Sequence, residues 1–416
     1  MGECKYMETD TQQYSTDKVQ WRKIRFDDFF IMLPTNTLSR DKLNNQYGEY
    51  QNIHYGDVLI KYPYCLDCNE NNIPYINDGV KFNDVKISDG DVVFADTAED
   101  DTVGKCVEIY NVGDRKIVSG LHTYLCRPKY KMALGYLGYF LNSDVYHEQL
   151  LPYIAGSKVS SVNKKSISQT YISFPESLSE QRRIASILSS ADKVIDSTQK
   201  LIAKYKSIKQ GMMEDLLKPK EGWKKVKLGE VGEPSSEKYN PMTENIFQYC
   251  IEMENINQES GTINGKSDIT KLLSLKTKFH KGDVLYGKLR PYLRKYWLAD
   301  FDGACSTEIW VLKNAENIDK QFLFYLFQSE YINKIANLSS GTKMPRADWK
   351  FMKEQKLYIP YKNGIPDVTE QRRIASILSG IDKKIEAEEK VLEKYKNVKK
   401  GLMEKLLKVE KYEEDS

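Results

Sequence analysis

The spacing of apolar positions repeats in two segments of this 416-residue chain. Positions separated alternately by four and three residues form a stripe, which runs in the first segment through Ile184, Leu188, Ala191, Ile195, Thr198, Ile202 and Tyr205. The second stripe runs through Ile374, Leu378, Ile381, Ile385, Glu388, Leu392 and Tyr395. A period of 3.5 residues is typical of the seam of a coiled coil. The pattern therefore predicts two long helices, over residues 179–218 and 369–416.

The predicted helices also share their sequence. The segment Glu180–Ser189 returns unchanged as Glu370–Ser379, and 23 of the 38 positions in 180–217 match those in 370–407. Two copies at this spacing are too few and too far apart for a solenoid, so the chain consists of two halves that each end in a helix. The two apolar seams are expected to pack on each other. The helices could run in either direction, and an antiparallel arrangement would give a pseudo-two-fold axis.

The helix starts and the globular segments carry further signals. Ser179 and Thr369 are the predicted N-caps of the two helices. The segments 1–178 and 219–368 share a fainter pattern, which predicts a duplicated α+β framework whose other residues have diverged. The matching pieces are Trp21–Ile24 with Trp223–Val226, Gly90–Phe94 with Gly282–Tyr286 as turns into strands, and Tyr139–Ser143 with Tyr325–Ser329 as short amphipathic helices.

Composition narrows the class of protein. Hydrophobic residues make up 40% of the chain, and no apolar run reaches the roughly 18 residues that a membrane helix needs. Seven scattered cysteines favour reduced thiols and a cytoplasmic location, and the single close pair Cys65 and Cys68 is a poor zinc motif. Net charge is +3 for the chain but −5 for residues 1–178, so bulk charge does not indicate a nucleic-acid binder.

The motifs of several enzyme classes are missing. There is no phosphate-binding loop, no glycine-rich dinucleotide fingerprint and no Asn/Asp-Pro-Pro-Tyr/Phe motif of an amino-methyltransferase. The four histidines are too scattered to form a metal pair. Asp367, Glu388 and Lys390 have the spacing of a nuclease core, but the helix between the two carboxylates would hold them roughly 27 Å apart. We therefore assign no catalytic residue and no metal ligand.

Basic and aromatic residues on glycine-containing turns are the remaining candidates for a function. Residues 287–297 hold four cations and three aromatic rings, and smaller clusters lie at 341–346 and 156–165. Such loops suit phosphate contact, and Arg can read guanine edges. The alternative is a solvated edge strand on which Pro291 prevents pairing with another strand. The candidate DNA contacts are Lys105, Lys158, Lys164, Lys165, Lys288, Arg290, Tyr292, Arg294, Lys343 and Arg346.

The doubled EQRRIASIL segment resembles the conserved regions of the specificity (S) subunit of Type I restriction–modification enzymes. Residues 282–313 and 340–350 look like a target recognition domain of that family, and residues 90–105 are similar to another variant of it. The resemblance covers nearly the whole chain. The acidity of the first domain departs from what a DNA-binding face would suggest.

The resemblance implies a complete layout. Two α/β target recognition domains, 1–178 and 219–368, would each bind one half of a split, asymmetric double-stranded DNA target. The two helices would form an antiparallel coiled coil with a pseudo-two-fold axis, and this coil would fix the gap between half-sites. Two modification subunits would dock on the helices, and restriction subunits would join them. Those partners would hold S-adenosylmethionine, ATP and magnesium, so this chain would need no cofactor. The implied docking residues are Glu180, Gln181, Arg182, Arg183, Glu370, Gln371, Arg372 and Arg373.

Two other classes stay open. One is a coiled-coil scaffold whose two lobes bind proteins instead of DNA, which the acidic first domain would suit. The other is an enzyme with its own nuclease or methyltransferase activity, which the missing motifs disfavour.

Overall fold

Residues 19–100, 102–156, 159–269, 274–338 and 344–408 are described by the structure, which is a computed structural model. The chain forms two compact units. The first contains the residues up to Ser197 together with those from Leu392 onward, and the second is Thr198–Val391. The two long helices each span 40 residues and begin at Leu178 and Val368, so each helix contributes residues to both units.

Short strands and helices make up the globular part of the first unit. Its first and last strands pair with each other in an antiparallel arrangement, with Trp21 opposite Pro175. The strands are β1 Trp21–Arg25, β2 Phe30–Leu33, β3 Leu43–Asn44, β4 Tyr50–Ile53, β5 Cys65–Asp67, β6 Tyr75–Ile76, β7 Val92–Ala95, β8 Thr97–Ala98, β9 Cys106–Tyr110, β10 Lys116–Ser119, β11 Thr123–Pro128, β12 Ser160–Ser161 and β13 Tyr171–Pro175. The helices are α1 Phe26–Phe29, α2 Tyr55–Ile60, α3 Tyr136–Leu141, α4 Asp144–Leu150, α5 Lys164–Ile167 and the long α6 Leu178–Leu217.

Two larger sheets organise this unit. A five-stranded sheet has the order β2-β11-β7-β9-β5, antiparallel except between β5 and β9. A four-stranded sheet has the order β10-β4-β6-β3, in which β10 and β4 are parallel. The short strands β8 and β12 form a separate antiparallel pair.

The second unit follows the same plan. Its first strand pairs antiparallel with the seven-residue strand Lys356–Lys362, with Trp223 opposite Pro360. The strands are β14 Trp223–Lys227, β15 Gly232–Pro234, β16 Lys238–Tyr239, β17 Tyr249–Ile251, β18 Ser267–Asp268, β19 Lys276–Phe279, β20 Val284–Gly287, β21 Tyr296–Leu298, β22 Gly303–Ser306, β23 Ile309–Asn314, β24 Lys356–Lys362 and β25 Ile365–Pro366. The helices are α7 Lys320–Gln328, α8 Glu330–Leu338, α9 Trp349–Met352 and the long α10 Val368–Leu407.

The sheets of the second unit are a four-stranded antiparallel sheet, β15-β23-β20-β21, and a five-stranded sheet, β16-β19-β22-β17-β18, in which β17 and β22 are parallel. The predicted turns into strands are confirmed, since Gly90 and Gly282 have φ of 86° and 88° and stand just before β7 and β20. Each turn is fastened by a buried aspartate that pairs with a cation on a neighbouring strand, Asp91 with Arg127 and Asp283 with Lys313.

The long helices run antiparallel within each unit. In the second unit Lys206 of α6 pairs with Glu389 of α10, and Lys209 pairs with Asp382, so the numbers rise on one helix as they fall on the other. In the first unit Lys399 pairs with Asp192, and Leu402 and Leu406 pack on the core that contains Ile184 and Leu188. The antiparallel coil that the resemblance implies is therefore present.

Burial identifies which stripe residues face the interior. Ile184, Leu188, Ile374 and Leu378 are fully buried in the cores of their own units. Thr198, Ile202, Ile381 and Ile385 are also buried, whereas Tyr395 is 39% exposed. The predicted seam is thus confirmed over most of its length but not at its far end.

The predicted N-caps are wrong by two residues. The helices start at Leu178 and Val368, which places Ser179 and Thr369 inside the first turn. The side chain of Asp367 accepts hydrogen bonds from the backbone N–H groups of Thr369 and Glu370, and therefore caps the second helix. This role also explains the aspartate that mimicked part of a nuclease core.

Candidate nucleic-acid interface

Two basic segments that lie far apart in the sequence meet in the second unit. The backbone N–H of Arg290 donates to the carbonyl of Pro345 at 2.7 Å, and that of Ala347 donates to the carbonyl of Lys288 at 2.9 Å. Arg290 has a left-handed backbone with φ of 50°, just before a turn at Pro291–Leu293. The predicted contacts Lys288, Arg290, Tyr292 and Arg346 are therefore brought to one place, which we call the basic loop cluster.

The side chains of the basic loop cluster differ in their partners. Tyr292 is 52% exposed, and Arg290 is also exposed. Within the described parts of the chain, neither Lys288 nor Arg290 has a side-chain ion pair. These two cations are thus available to an anion such as a DNA phosphate. Lys343, also predicted to contact DNA, lies outside the described residues.

Arg346 is held by a carboxylate of the same unit. Its Nε lies 3.0 and 3.1 Å from the two carboxylate oxygens of Glu308, and its Nη2 lies 2.9 Å from Oε1. The hydrogen bonds from Arg346 lower the pKa of Glu308 and raise that of Arg346. The sequence pattern does not indicate Glu308, because 38 residues separate it from Arg346 and no local spacing links them.

The side chain of Arg294 contacts its own unit and is not part of the basic loop cluster. Its guanidinium pairs with Glu330 and lies 3.5 Å from Glu259, and its Nη2 donates to the carbonyl of Gln328 at 2.8 Å. These contacts tie the basic segment to the start of α8. The structure thus gives Arg294 an internal anchoring role, and its contact with DNA stays a prediction.

In the first unit the predicted DNA contacts differ in burial and in their partners. Lys105 is half-buried, its Nζ donates to the carbonyl of Leu59 at 2.7 Å, and burial lowers its pKa. Lys164 and Lys165 are exposed on the first turn of α5, where the Lys164 ammonium lies 5.5 Å from the centre of the Tyr124 ring. Lys158 lies outside the described residues.

The first unit nevertheless repeats the backbone contacts that hold the basic loop cluster together. In the second unit the N–H of Lys288 donates to the carbonyl of Glu308 at 2.9 Å. In the first unit the N–H of Asp96 donates to the carbonyl of His122 at 3.1 Å, and that of Val162 donates to the carbonyl of Asp96 at 2.9 Å, as Ala347 does to Lys288. We call these paired contacts the loop frame. It makes Asp96 equivalent to Lys288, His122 to Glu308, and Ser161 to Arg346.

The loop frame presents different side chains in the two units. Asp96 accepts hydrogen bonds from Thr97 Oγ1 at 2.7 Å and from His122 Nδ1 at 3.2 Å. The side chain of His122 is 48% exposed. One backbone arrangement thus presents a carboxylate with a histidine in the first unit, and a lysine with an arginine–glutamate pair in the second.

The eight predicted docking residues fall into two groups. The four arginines are exposed at the starts of the long helices, and Glu180 pairs with Arg183 as Glu370 does with Arg373. Gln181 and Gln371 are buried, and their amides bind backbone groups of their own units. Gln181 bonds to Ala133 and Pro175, and Gln371 bonds to Asn317 and Asp319. The charged residues are therefore the ones that offer a surface to a partner.

The described residues hold no group of three or more His, Cys, Asp or Glu side chains that could bind a metal ion. The thiol of Cys65 donates to the carbonyl of Gly135 at 3.4 Å, and Cys68 is buried. In the part of the chain that the structure covers, no helix combines the length and apolar character required to cross a membrane.

Comparison with known proteins agrees with this architecture. A family model described as "Type I restriction modification DNA specificity domain" matches residues 18–206 and again residues 220–397. The Type I restriction enzyme MjaVIII specificity subunit of Methanocaldococcus jannaschii is 28% identical over 370 residues, which cover 80% of this chain and 83% of that protein. The EcoDI specificity subunit of Escherichia coli is 27% identical over 157 residues, covering 36% of this chain and 34% of that protein.

Solved structures show the same fold. The S subunit of a Type I restriction–modification system from M. genitalium aligns with a TM-score of 0.55 at 16% identity, covering 95% of this chain and 98% of that one. A chain from a structural study of assembly and conformational transition in a Type I system aligns with a TM-score of 0.54 at 16% identity, covering 93% and 97%.

Proposed function

Because this chain belongs to the family of Type I restriction–modification DNA specificity subunits, we propose that each of its two units reads one half of a bipartite, asymmetric DNA target. The chain is the non-catalytic specificity component of such a system. The observation that best supports the division into half-sites is the loop frame. One set of backbone contacts occurs in both units, while the side chains that it presents differ in charge and chemistry.

We further propose that the helix pair sets the spacing between the half-sites. The antiparallel contacts of α6 and α10 recur at positions 190 residues apart, with Lys209 on Asp382 in one unit and Lys399 on Asp192 in the other. Such repeated contacts fix the register of the two helices. A fixed register is what a spacer of constant length requires.

Two modification subunits are the proposed partners of the helices. Each helix start presents an exposed arginine pair, Arg182–Arg183 or Arg372–Arg373, with its glutamate. Farther along the helices, Ile208 and Val398 occupy matching positions and are 40% and 47% exposed. Two like surfaces suit two copies of one partner. Restriction subunits would join this core, and S-adenosylmethionine, ATP and magnesium would be held by the partners.

The test is to co-express the chain with its modification subunit and to map methylated adenines across the host DNA. The expected result is one bipartite motif. Replacement of residues 221–368 by another recognition domain should change one half of that motif and leave the other half and the spacer unchanged. If the assembled complex shifts no DNA and methylates none, the protein-binding scaffold would be the better interpretation.

A further inference from the structure

Arg346 presents only part of its guanidinium to solvent. The edge formed by Nε and Nη2 is occupied by the Glu308 carboxylate. Among the described residues, the one contact of Nη1 is with the carbonyl of Met344 at 3.5 Å, and the side chain is 46% exposed. The second edge, formed by Nη1 and Nη2, therefore carries two parallel N–H donors that a ligand can reach.

A carboxylate on one edge changes what an arginine can recognise. The negative charge of Glu308 offsets the positive charge of Arg346, which reduces the attraction of Arg346 for a phosphate. The same contact restricts the side chain to one orientation, so that the two free donors point in a fixed direction. A fixed pair of parallel donors matches the O6 and N7 acceptors that guanine presents in the major groove.

The residues around the Arg346–Glu308 pair suit a different part of the DNA from the pair itself. Lys288 and Arg290 have no side-chain ion pair within the described chain, and they flank Arg346 through the backbone contacts of the basic loop cluster. Unpaired cations suit the phosphate backbone, which positions the protein without reading sequence. The paired and oriented arginine suits a base edge.

The first unit does not offer this chemistry at the same point. Ser161 stands at the position of Arg346, and His122 and Asp96 stand at those of Glu308 and Lys288. A serine cannot supply two parallel donors. A requirement for guanine at the base pair that faces this point is thus expected in one half-site only.

We propose that Arg346 reads a guanine in the half-site of the second domain, and that Glu308 is its positioning residue. This inference rests on the proposed function, since it names the base chemistry of one recognition domain.

The experiment uses the complete chain in complex with its modification subunit. Methylation maps are recorded for the wild type, Arg346→Ala, Glu308→Gln and the control Lys227→Ala, which breaks an exposed ion pair with Glu354 in the same unit. Arg346→Ala should lower the preference for one G·C pair about 5- to 150-fold, the range expected for loss of a bidentate contact, and leave the other half-site unchanged. Glu308→Gln should weaken the preference at that same pair, and Lys227→Ala should keep the wild-type motif.

A charge-swapped variant separates recognition from structure. Glu308→Arg combined with Arg346→Glu keeps an ion pair between the two segments. If the pair only holds the loops together, the swap should restore the wild-type motif, which would overturn the inference. If Arg346 reads guanine, the swapped chain should keep its thermal unfolding temperature and still lack the preference. Where a variant methylates no site, gel-shift competition among duplexes carrying each base pair at that position gives the same comparison.

Other outcomes are also decisive. A uniform loss of affinity for every sequence in Arg346→Ala, with a salt slope reduced by about one, would identify a phosphate contact and overturn base reading. An unchanged motif and affinity would also overturn it. A wild-type complex that recognises no DNA would instead refute the proposed function.

Discussion

The Nζ of Lys209 on the first long helix lies 2.7 Å from the carboxylate of Asp382 on the second. The hydroxyl of Tyr325, from helix α7, donates to the other oxygen of that carboxylate at 2.8 Å. The first unit repeats the arrangement with Lys399, Asp192 and Tyr139. Each of these three-residue contacts joins both long helices to a globular domain. It therefore fixes the register of the helices and also the position of that domain on them.

Removal of the carboxylate should destabilise the second unit. Asp382→Ala removes the acceptor of the Tyr325 hydroxyl and the anionic partner of Lys209, whose side chain is only 12% exposed. Among the described residues, the Lys209 ammonium then keeps the amide oxygen of Gln328, at 2.8 Å, as its acceptor. We expect a loss of about 1.5–3 kcal/mol, the range for hydrogen bonds to charged groups. Denaturant unfolding followed by circular dichroism measures it. The control is Glu386→Ala, which breaks the exposed pair with Lys390 and should cost less than about 0.5 kcal/mol. Equal effects would contradict the prediction.

The buried Glu108 should make the first unit sensitive to pH. Its two oxygens accept hydrogen bonds from the N–H groups of Gly135 and Gly138, yet burial raises its pKa from 4.5 to about 7. Between these values the unfolded carboxyl is ionised while the folded one holds its proton. The protonated Glu108 contributes its full stabilisation below pH 4.5. This contribution to the free energy of unfolding is lost as the pH rises to about 7, and the loss is on the order of 3 kcal/mol.

Unfolding measured at several pH values between 4 and 8 checks this expectation. Glu108→Gln cannot ionise and should flatten the decline, whereas the exposed Glu148→Gln should leave it as in the wild type. An equally steep decline in Glu108→Gln would assign the pH dependence to other groups.

Arg290 and Arg294 should respond differently to truncation. Arg290→Ala removes an exposed cation and should weaken DNA binding without a change in unfolding temperature; if Arg290 contacts a base, the loss would be about 1–3 kcal/mol. Arg294→Ala breaks the contacts with Glu330 and Gln328 and should lower the unfolding temperature of the second unit. Gel shifts of the complex and thermal unfolding of both variants make the comparison. Wild-type affinity in Arg290→Ala would show that this loop faces away from DNA.

Matched deletions in the two helices should shorten the DNA spacer. Removal of residues 195–201 together with 385–391 takes one heptad from each helix and leaves the Asp192–Lys399 and Lys209–Asp382 pairs intact. Seven helical residues span roughly 10 Å, or about three base pairs, so the spacer should shorten by that amount while the half-sites stay the same. Deletion of 195–201 alone puts the two ion pairs out of register and should unfold the coil. An unchanged spacer in the matched deletion would refute the helix-ruler proposal.

The sequence predicted what depends on local pattern or on repetition. The long helices, their apolar seam through Ile374 and Leu378, and the turns at Gly90 and Gly282 follow from spacing and from glycine at positive φ. The strand orders of the sheets and their parallel pairs did not, because partners such as β17 and β22 are separated by several other elements.

The candidate site shows the same limit. The basic segments at 287–297 and 344–346 could be recognised from composition, but not that Arg294 turns inward to Glu330 while Arg346 is held by Glu308. Each of these pairs joins residues 36 or 38 positions apart, so it exists only once the chain has folded. The burial of Gln181 likewise depends on the backbone of Ala133, which no helical periodicity indicates.

The division of each long helix between two units sets an order of events during synthesis. All residues of the second unit have been made once Val391 is added, whereas the first unit still lacks part of its core. That core is completed by residues near the end of the second long helix, which are synthesised after Val391: Leu402, Met403, Leu406 and Leu407. The domain that is translated first is therefore the one that is finished last, and its incomplete core has to be kept from aggregating in the meantime.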